Sequence, residues 1–357
     1  MQKNAILEQI LTVAGVEGFL VTDIKNLRYI TGFTGSSGFL IVHVRKPVFV
    51  TDFRYKEQAK EEVKGFSIKI EKDKLQTINE IVNGLKIKKL GFEASAVSFE
   101  TYRKLLKKGI KLKGYTNLIE DMRAIKSQHE IASIKTAVGR AERAFMRVVP
   151  YIRPGIKEQE LSIRLECLLK EEGCKTLPFE IIVASGPRSS LPHARPSDRV
   201  LRKGDIVLFD WGGESNGYFS DMSRTILLDS RGRKKSKIPA ERLQIFSTVL
   251  ESQKIAIKAI RPGVTARGID AIARNFIKRA GYGKYFGHGA GHGIGLSVHE
   301  APTISWRSKE SLREGMVFTI EPGIYIPGLG GVRIEDMVVV KSDGVEVLNK
   351  LPKEIRI

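Results

Sequence analysis

The stretch VLFDWGGESNGYFSDMSRTI, residues 207–226, decides the reading of this chain. Both arms are apolar and β-prone, and Glu214, Ser215, Asn216 and Gly217 supply turn residues between them, so the stretch reads as a β-hairpin. Counting outward from that four-residue turn sets Asp210 opposite Asp221. Opposed Cβ atoms in an antiparallel pair lie roughly 4.5–5.5 Å apart, where like charges are destabilising unless something cationic sits between them. Asp210 is embedded among Val207, Leu208, Phe209 and Trp211, which argues against a solvated strand end.

A second hairpin, VFTIEPGIYIPGLGGVRIEDMVVV (residues 317–340), repeats the pattern. Its turn centres near Gly328, which places Glu321 opposite Glu335 across two apolar arms. Two such hairpins gather four carboxylates in need of compensation, and two divalent cations supply four positive charges.

The segment YFGHGAGHGIGLSVHEAP, residues 285–302, carries His288, His292 and His299, half of the six histidines in the chain. Its glycines resemble a dinucleotide loop, but such a loop needs a strand before it and a helix after it, whereas LSVHEAPTISW is strand-like and is expected to break at Pro302. Imidazole is the commonest metal ligand as well as a proton carrier, so a metal or active-site reading is stronger. His292 and His299 are seven apart, which a flat strand would set on opposite faces, so a bend at Gly293–Gly295 or different roles are required. His193 lies in a polar loop, IIVASGPRSSLPHARPSD (residues 181–198), after an apolar strand, and gains weight from the company of the other histidines.

Working outward, residues 1–123 alternate short apolar strands (18–21, 38–42, 48–51, 90–92) with polar helical stretches, an α/β pattern. Ser127 and Glu130 fit a capping box at the start of a long amphipathic helix, and the domain boundary is placed there, giving 1–123 and 124–357. The second region runs helix, helix, strands, then helices from about Pro239 and Thr265, then strands, which is an α+β order and a coarse duplication. Cys167 and Cys174 have no partner in zinc-like spacing and read as reduced thiols in a packed helix.

With 42% hydrophobic and 28% charged residues over 357 positions, disorder and collagen-like structure are excluded. The net charge of +20 is spread, with 22 basic and 14 acidic side chains in residues 1–123. Basic runs at residues 86–89, 107–113 and 231–237 lack interleaved aromatics for stacking on bases, so no specific nucleic-acid partner is expected. No apolar stretch is long enough for a membrane span, and the start lacks the features of a secretory signal. A cytoplasmic protein with no membrane association is the expectation.

Taken together, Asp210, Asp221, His292, Glu321 and Glu335, with His193 and His299, resemble the dinuclear metallopeptidases of the pita-bread fold, a family that includes methionine aminopeptidase, Xaa-Pro aminopeptidase and Xaa-Pro dipeptidase (prolidase). The phrases NLRYITGFTGSSG and TDFRYKEQA resemble the creatinase-like N-terminal domain of the proline-specific branch and look more like its aminopeptidase P side. The resemblance implies a smaller α/β creatinase-like domain before a pita-bread catalytic domain. It implies that Asp210 binds one metal in bidentate fashion, that Asp221 and Glu335 bridge two, and that His292 and Glu321 complete the second. Mn²⁺ suits this oxygen-rich set, with Co²⁺ or Zn²⁺ as alternatives. Hydrolysis of an Xaa-Pro bond at a peptide N-terminus through a metal-bridging hydroxide is implied. Glu321 would act as general base, His299 would stabilise the oxyanion, His193 would sit near the leaving amine, His288 would wall the proline pocket, and Arg333 would orient a carboxylate. A homodimer or homotetramer is also implied. The alternatives are a dipeptidase confined to Xaa-Pro, which would need a cation for the dipeptide carboxylate, and a non-catalytic pita-bread binding protein, which would be expected to have lost metal ligands.

Overall fold

The computed structural model describes residues 3–105, 109–229 and 238–357. Lys107, Lys108 and the basic run 231–237 therefore lie outside the described residues. The chain divides into two compact units, Met1–Arg123 and Ala124–Ile357.

In the first unit a six-stranded mixed sheet is covered by helices over two apolar clusters, one including Leu7, Phe19 and Phe49, the other Leu20, Ile41 and Ile78. Burial on both faces explains why the central strands Gly18–Val21, Phe39–Val42 and Val48–Thr51 are unbroken apolar runs. The edge strands Ser67–Ile70 and Lys111–Tyr115 are partly exposed and carry lysines, a composition that discourages further strand pairing and that hides them from a search for apolar runs.

The second unit opens with the helix Gln128–Val148, whose N-terminus is closed by a capping box between Ser127 and Glu130. With the helix Glu158–Glu171 it packs on the first hairpin, where Phe145 stacks on Trp211 with ring centroids 4.2 Å apart and the indole N–H donates to the Ala141 carbonyl. The helices Ala240–Lys258 and Ala266–Arg279 form a second pair. The strand Asp336–Lys341 serves both cores: Met337 and Val339 join the cluster under the first pair, Val338 and Val340 that under the second. Period-two alternation between two apolar layers makes MVVV a continuous hydrophobic run. Both thiols are free; Cys167 is exposed on its helix, while Cys174 lies beyond the helix end at Glu171, not within it.

Two sheets frame the interior of this unit. One orders Ile355–Arg356, Met222–Leu227, Ile206–Trp211 and Ile182–Ser185; the other orders Glu300–Ile304, Gly291–Gly293, Val317–Ile320, Asp336–Lys341 and Gly344–Val347. Among the described residues no helix is long and apolar enough to cross a membrane.

Candidate metal centre and active site

The first hairpin corrects one expectation. Asp210 pairs with Ser223, not with Asp221, and the same register runs through Met222↔Trp211 to the tip pairs Tyr218↔Ser215 and Phe219↔Glu214. The turn is tighter than a four-residue reading: Asn216 and Gly217 both take positive φ, 51° and 74°, as a two-residue type I′ turn requires. Moving one strand by two residues preserves the face, so Asp210 and Asp221 stay on the same side of the ladder, diagonal instead of opposed.

The second hairpin keeps the register centred on Gly328. Val317↔Val339 and Ile320↔Asp336 lie on one side of the carboxylates, Gly323↔Arg333 and Ile326↔Gly330 on the other. Glu321 and Glu335 occupy the gap between these two ladders, in the register that both enforce.

The histidine segment is neither a phosphate loop nor a flat strand. Gly291–Gly293 is wedged between two neighbouring strands, and a Cβ at Gly291 would come within 1.9 Å of the Thr319 carbonyl oxygen. A register shift after His292 and the irregular stretch before Glu300 fold the chain back, so the rings of His292 and His299 lie 4.2 Å apart between centroids. The next strand, Glu300–Ile304, runs through Pro302; the expected break there does not occur, and the strand starts only after His299.

All nine candidate residues line one cavity of about 590 Å³. Within it, Asp221, His292 and Glu335 each offer a ligand atom, all within 4.8 Å of one another. His292 Nδ1 lies 3.1 Å from the Gly293 carbonyl, which can only accept, so Nδ1 donates there and Nε2 points inward, 3.6 Å from Asp221 Oδ2 and 3.5 Å from Glu321 Oε1. Among the described residues, Asp210 Oδ1, Asp221 Oδ1 and Glu335 Oε1 are buried with no hydrogen-bond partner. Buried carboxylate oxygens without donors are costly, and a hard cation is the group they fit.

Electrostatics agree. Burial, then the charges of Glu335, Asp210 and Glu321, push the Asp221 carboxyl well above its usual range. Burial with the Glu321 and Asp210 charges does the same to Glu335, and burial above all pushes Glu321 up to about 7. Burial and the neighbouring His292 and His193 lower His299.

Arg333 organises one side of the cluster. Its Nη2 donates to Asp210 Oδ2 at 2.6 Å, its Nε to Ser223 Oγ at 2.7 Å, and its Nη1 to Tyr325 Oη at 2.9 Å. Ser223 Oγ in turn donates to Glu335 Oε2 at 2.9 Å. His288 Nδ1 faces the Gly289 carbonyl at 2.7 Å and must donate, so its Nε2 accepts from Tyr325 Oη at 3.0 Å. One directed chain thus runs from Arg333 through Tyr325 to His288, and burial beside Arg333 lowers His288 to about 4.

Ser223 and Tyr325 were not among the residues singled out from the sequence. Tyr325 was within reach, because alternation from Glu321 sets it on the same face four residues on. Ser223 becomes readable once the Asn216–Gly217 turn fixes the register. Behind the ligands, the fully buried Arg224 donates to the Ser223 and Glu335 carbonyls and pairs with Asp336 at 2.7 Å, tying the two hairpins together.

Residues 132–342 match the model of metallopeptidase family M24, and residues 5–125 that of the creatinase/prolidase N-terminal domain. The chain is 40% identical to an Xaa-Pro dipeptidase of Pyrococcus horikoshii over 95% of its own length and 94% of the relative's. It superimposes on the structure of an Xaa-Pro dipeptidase from Bacillus anthracis with a TM-score of 0.94 at 40% identity, covering 100% and 99% of the two chains. An X-Pro aminopeptidase structure from Thermotoga maritima gives 0.89 at 38% identity, covering 99% of each.

Proposed function

Because the chain belongs to metallopeptidase family M24, with a creatinase/prolidase N-terminal domain ahead of a pita-bread catalytic domain, we propose that it hydrolyses the Xaa-Pro bond next to a free peptide N-terminus. The observation that carries this reading is the set of donor-free carboxylate oxygens beside the inward Nε2 of His292, inside a cavity large enough for a short peptide.

Asp210, Asp221, His292, Glu321 and Glu335 would hold the cations. Bound divalent ions, for which Mn²⁺ suits the donor set, supply Lewis acidity and an acidified water. The remaining work falls to the chain. Glu321 takes up and returns a proton on the leaving-nitrogen side. His299, kept neutral by its surroundings, donates an N–H to the oxygen that gains charge at the scissile carbonyl. His193 hydrogen-bonds near the leaving amine. His288 commits both ring nitrogens to Gly289 and Tyr325, so it offers the proline ring a carbon surface, not a hydrogen-bonding one. Arg333 fixes one oxygen of Asp210 and leaves the other free. A tertiary amide before proline has no N–H, so a site that orients substrate by its amine, its carbonyl and a shaped apolar wall suits this bond.

The named relatives include both dipeptidases and an aminopeptidase, activities that are separated by whether the peptide ends at the proline or continues beyond it. Product analysis by mass spectrometry with Mn²⁺-loaded protein on Ala-Pro, Ala-Pro-Ala and Ala-Ala-Ala tests the reading. Metal-dependent release of Ala from either proline peptide, and not from Ala-Ala-Ala, is the expected result; failure on both proline peptides refutes it.

A further inference from the structure

Among the described residues, two cationic side chains line the cavity, Arg333 and Arg195. Arg333 is buried and directs four of its five N–H groups to Asp210, Ser223, Tyr325 and the Pro192 carbonyl. Arg195 is its opposite. Its side chain is 85% exposed, and Glu180, also in the cavity wall, approaches its Nε only to 3.4 Å, longer than the roughly 2.7–2.9 Å of a strong charge-assisted hydrogen bond.

The backbone beneath Arg195 is nevertheless held at several points. Arg188 Nη2 donates to the Arg195 carbonyl at 2.7 Å, and Arg188 Nε is itself anchored on the buried Glu158 at 3.1 Å. The Ala194 N–H closes a turn on the Leu191 carbonyl at 3.2 Å, and Arg333 Nη1 reaches the Pro192 carbonyl at the same distance. The loop that carries His193 therefore presents a guanidinium two residues away, on the same cavity wall, with its charge only loosely engaged.

We propose that Arg195 is a specificity-determining residue that binds a free α-carboxylate on the proline and so favours Xaa-Pro dipeptides over longer peptides. The inference rests on the Xaa-Pro reading above. In a dipeptide the carboxylate carbon lies two bonds beyond the scissile nitrogen and carries a full negative charge; in a longer peptide the same carbon is an uncharged amide. Arg333 is poorly placed to serve that carboxylate, since four of its five N–H groups are taken and its side chain is buried against Asp210. Glu180 competes for Arg195 and repels the incoming carboxylate, so it sets the limit of the preference.

The test is the ratio of kcat/KM for Ala-Pro to that for Ala-Pro-NH2, measured with Mn²⁺-loaded wild type, Arg195→Met and Glu180→Gln. Both side chains are exposed, so neither substitution threatens folding. The ratio is expected to fall about five- to tenfold in Arg195→Met, carried by KM for the dipeptide, and to rise about threefold in Glu180→Gln. Arg195→Lys should fall between wild type and Arg195→Met. A ratio within twofold of wild type in Arg195→Met, with Ala-Pro still cleaved, overturns the inference and leaves the Xaa-Pro reading standing. A wild-type enzyme that cleaves neither peptide overturns both.

Discussion

Replacing Tyr325 with Phe removes a single buried hydroxyl and breaks the directed chain at its middle. Arg333 loses one acceptor but keeps Asp210, Ser223 and the Pro192 carbonyl. His288 fares worse: its Nδ1–H stays on the Gly289 carbonyl, while Nε2 loses the donor it had at 3.0 Å. Its lowered pKa, about 4, keeps the ring neutral at neutral pH, so Nε2 stays an unpaired acceptor. Leaving one buried acceptor unpaired costs about 1–3 kcal/mol, so a loss near 2 kcal/mol is expected. For a unit of this size that is about 4–8 °C in melting temperature. If the same loss appears in the positioning of Arg333 and His288, kcat/KM for an Xaa-Pro substrate falls about 30-fold. Two assays check this, thermal unfolding of the metal-loaded protein and steady-state kinetics on Ala-Pro. ¹⁵N-histidine NMR reads the tautomer directly, with His288 protonated at Nδ1 in the wild type. Wild-type melting and kinetics in the variant, or an Nε2–H tautomer in the unsubstituted enzyme, would refute the reasoning.

The same geometry fixes two other outcomes. Ser223→Ala should weaken Mn²⁺ binding about 10- to 100-fold by calorimetry, because Glu335 Oε2 loses its donor, while Ser223→Thr should retain affinity; equal affinity in all three proteins contradicts the positioning role. In chelator-treated protein, Glu321 has a folded-state pKa of about 7 against an ordinary value of 4.5. A raised carboxyl pKa contributes stability that is present below 4.5 and is lost as pH rises through 7, by at most about 3 kcal/mol. Urea unfolding at pH 5.5 and 8 should show about 2 kcal/mol of that loss in the metal-free wild type and less in Glu321→Gln, the rest being lost below pH 5.5; identical pH dependence in the two proteins would count against it.

What the sequence disclosed depended on where its turns could be located. The second hairpin was legible to the residue, because Gly328 marks its centre and no bulge intervenes between Val317 and Lys341. In the first, Glu214 and Ser215 have the composition of turn residues but form a strand, and the turn is Asn216–Gly217 alone, the strongest short hairpin signal, which moves the register by two residues. That shift keeps the carboxylates on the same face, because two residues conserve side-chain direction. It did hide Ser223, whose role depends on facing Asp210 and reaching across to the other hairpin. Long-range partners such as Arg188 on Glu158, or Arg224 on Asp336, leave no periodic trace and could not have been read from spacing.

The two hairpins are joined by donors that all lie behind or beside the ligands. Arg224 clamps the Ser223 and Glu335 carbonyls, Thr225 exchanges hydrogen bonds with the Arg333 backbone, and Ser223 connects Arg333 to Glu335. These contacts satisfy the backbone and the outer oxygens of the cluster, while the inner oxygens of Asp210, Asp221 and Glu335 receive no hydrogen bond from the described residues. Such an arrangement is unfavourable as an ion-free core, since one guanidinium faces four carboxylates, and burial with the neighbouring negative charges pushes Asp221 and Glu335 well above their usual range. Its geometry is therefore imposed from outside by packing: Phe145 on Trp211 holds one hairpin, and the two apolar layers flanking Asp336–Lys341 hold the other. Rigid walls that tolerate mutual repulsion keep the ligands apart and directed before a cation arrives. Binding then relieves strain that the fold already carries, instead of paying to assemble the site.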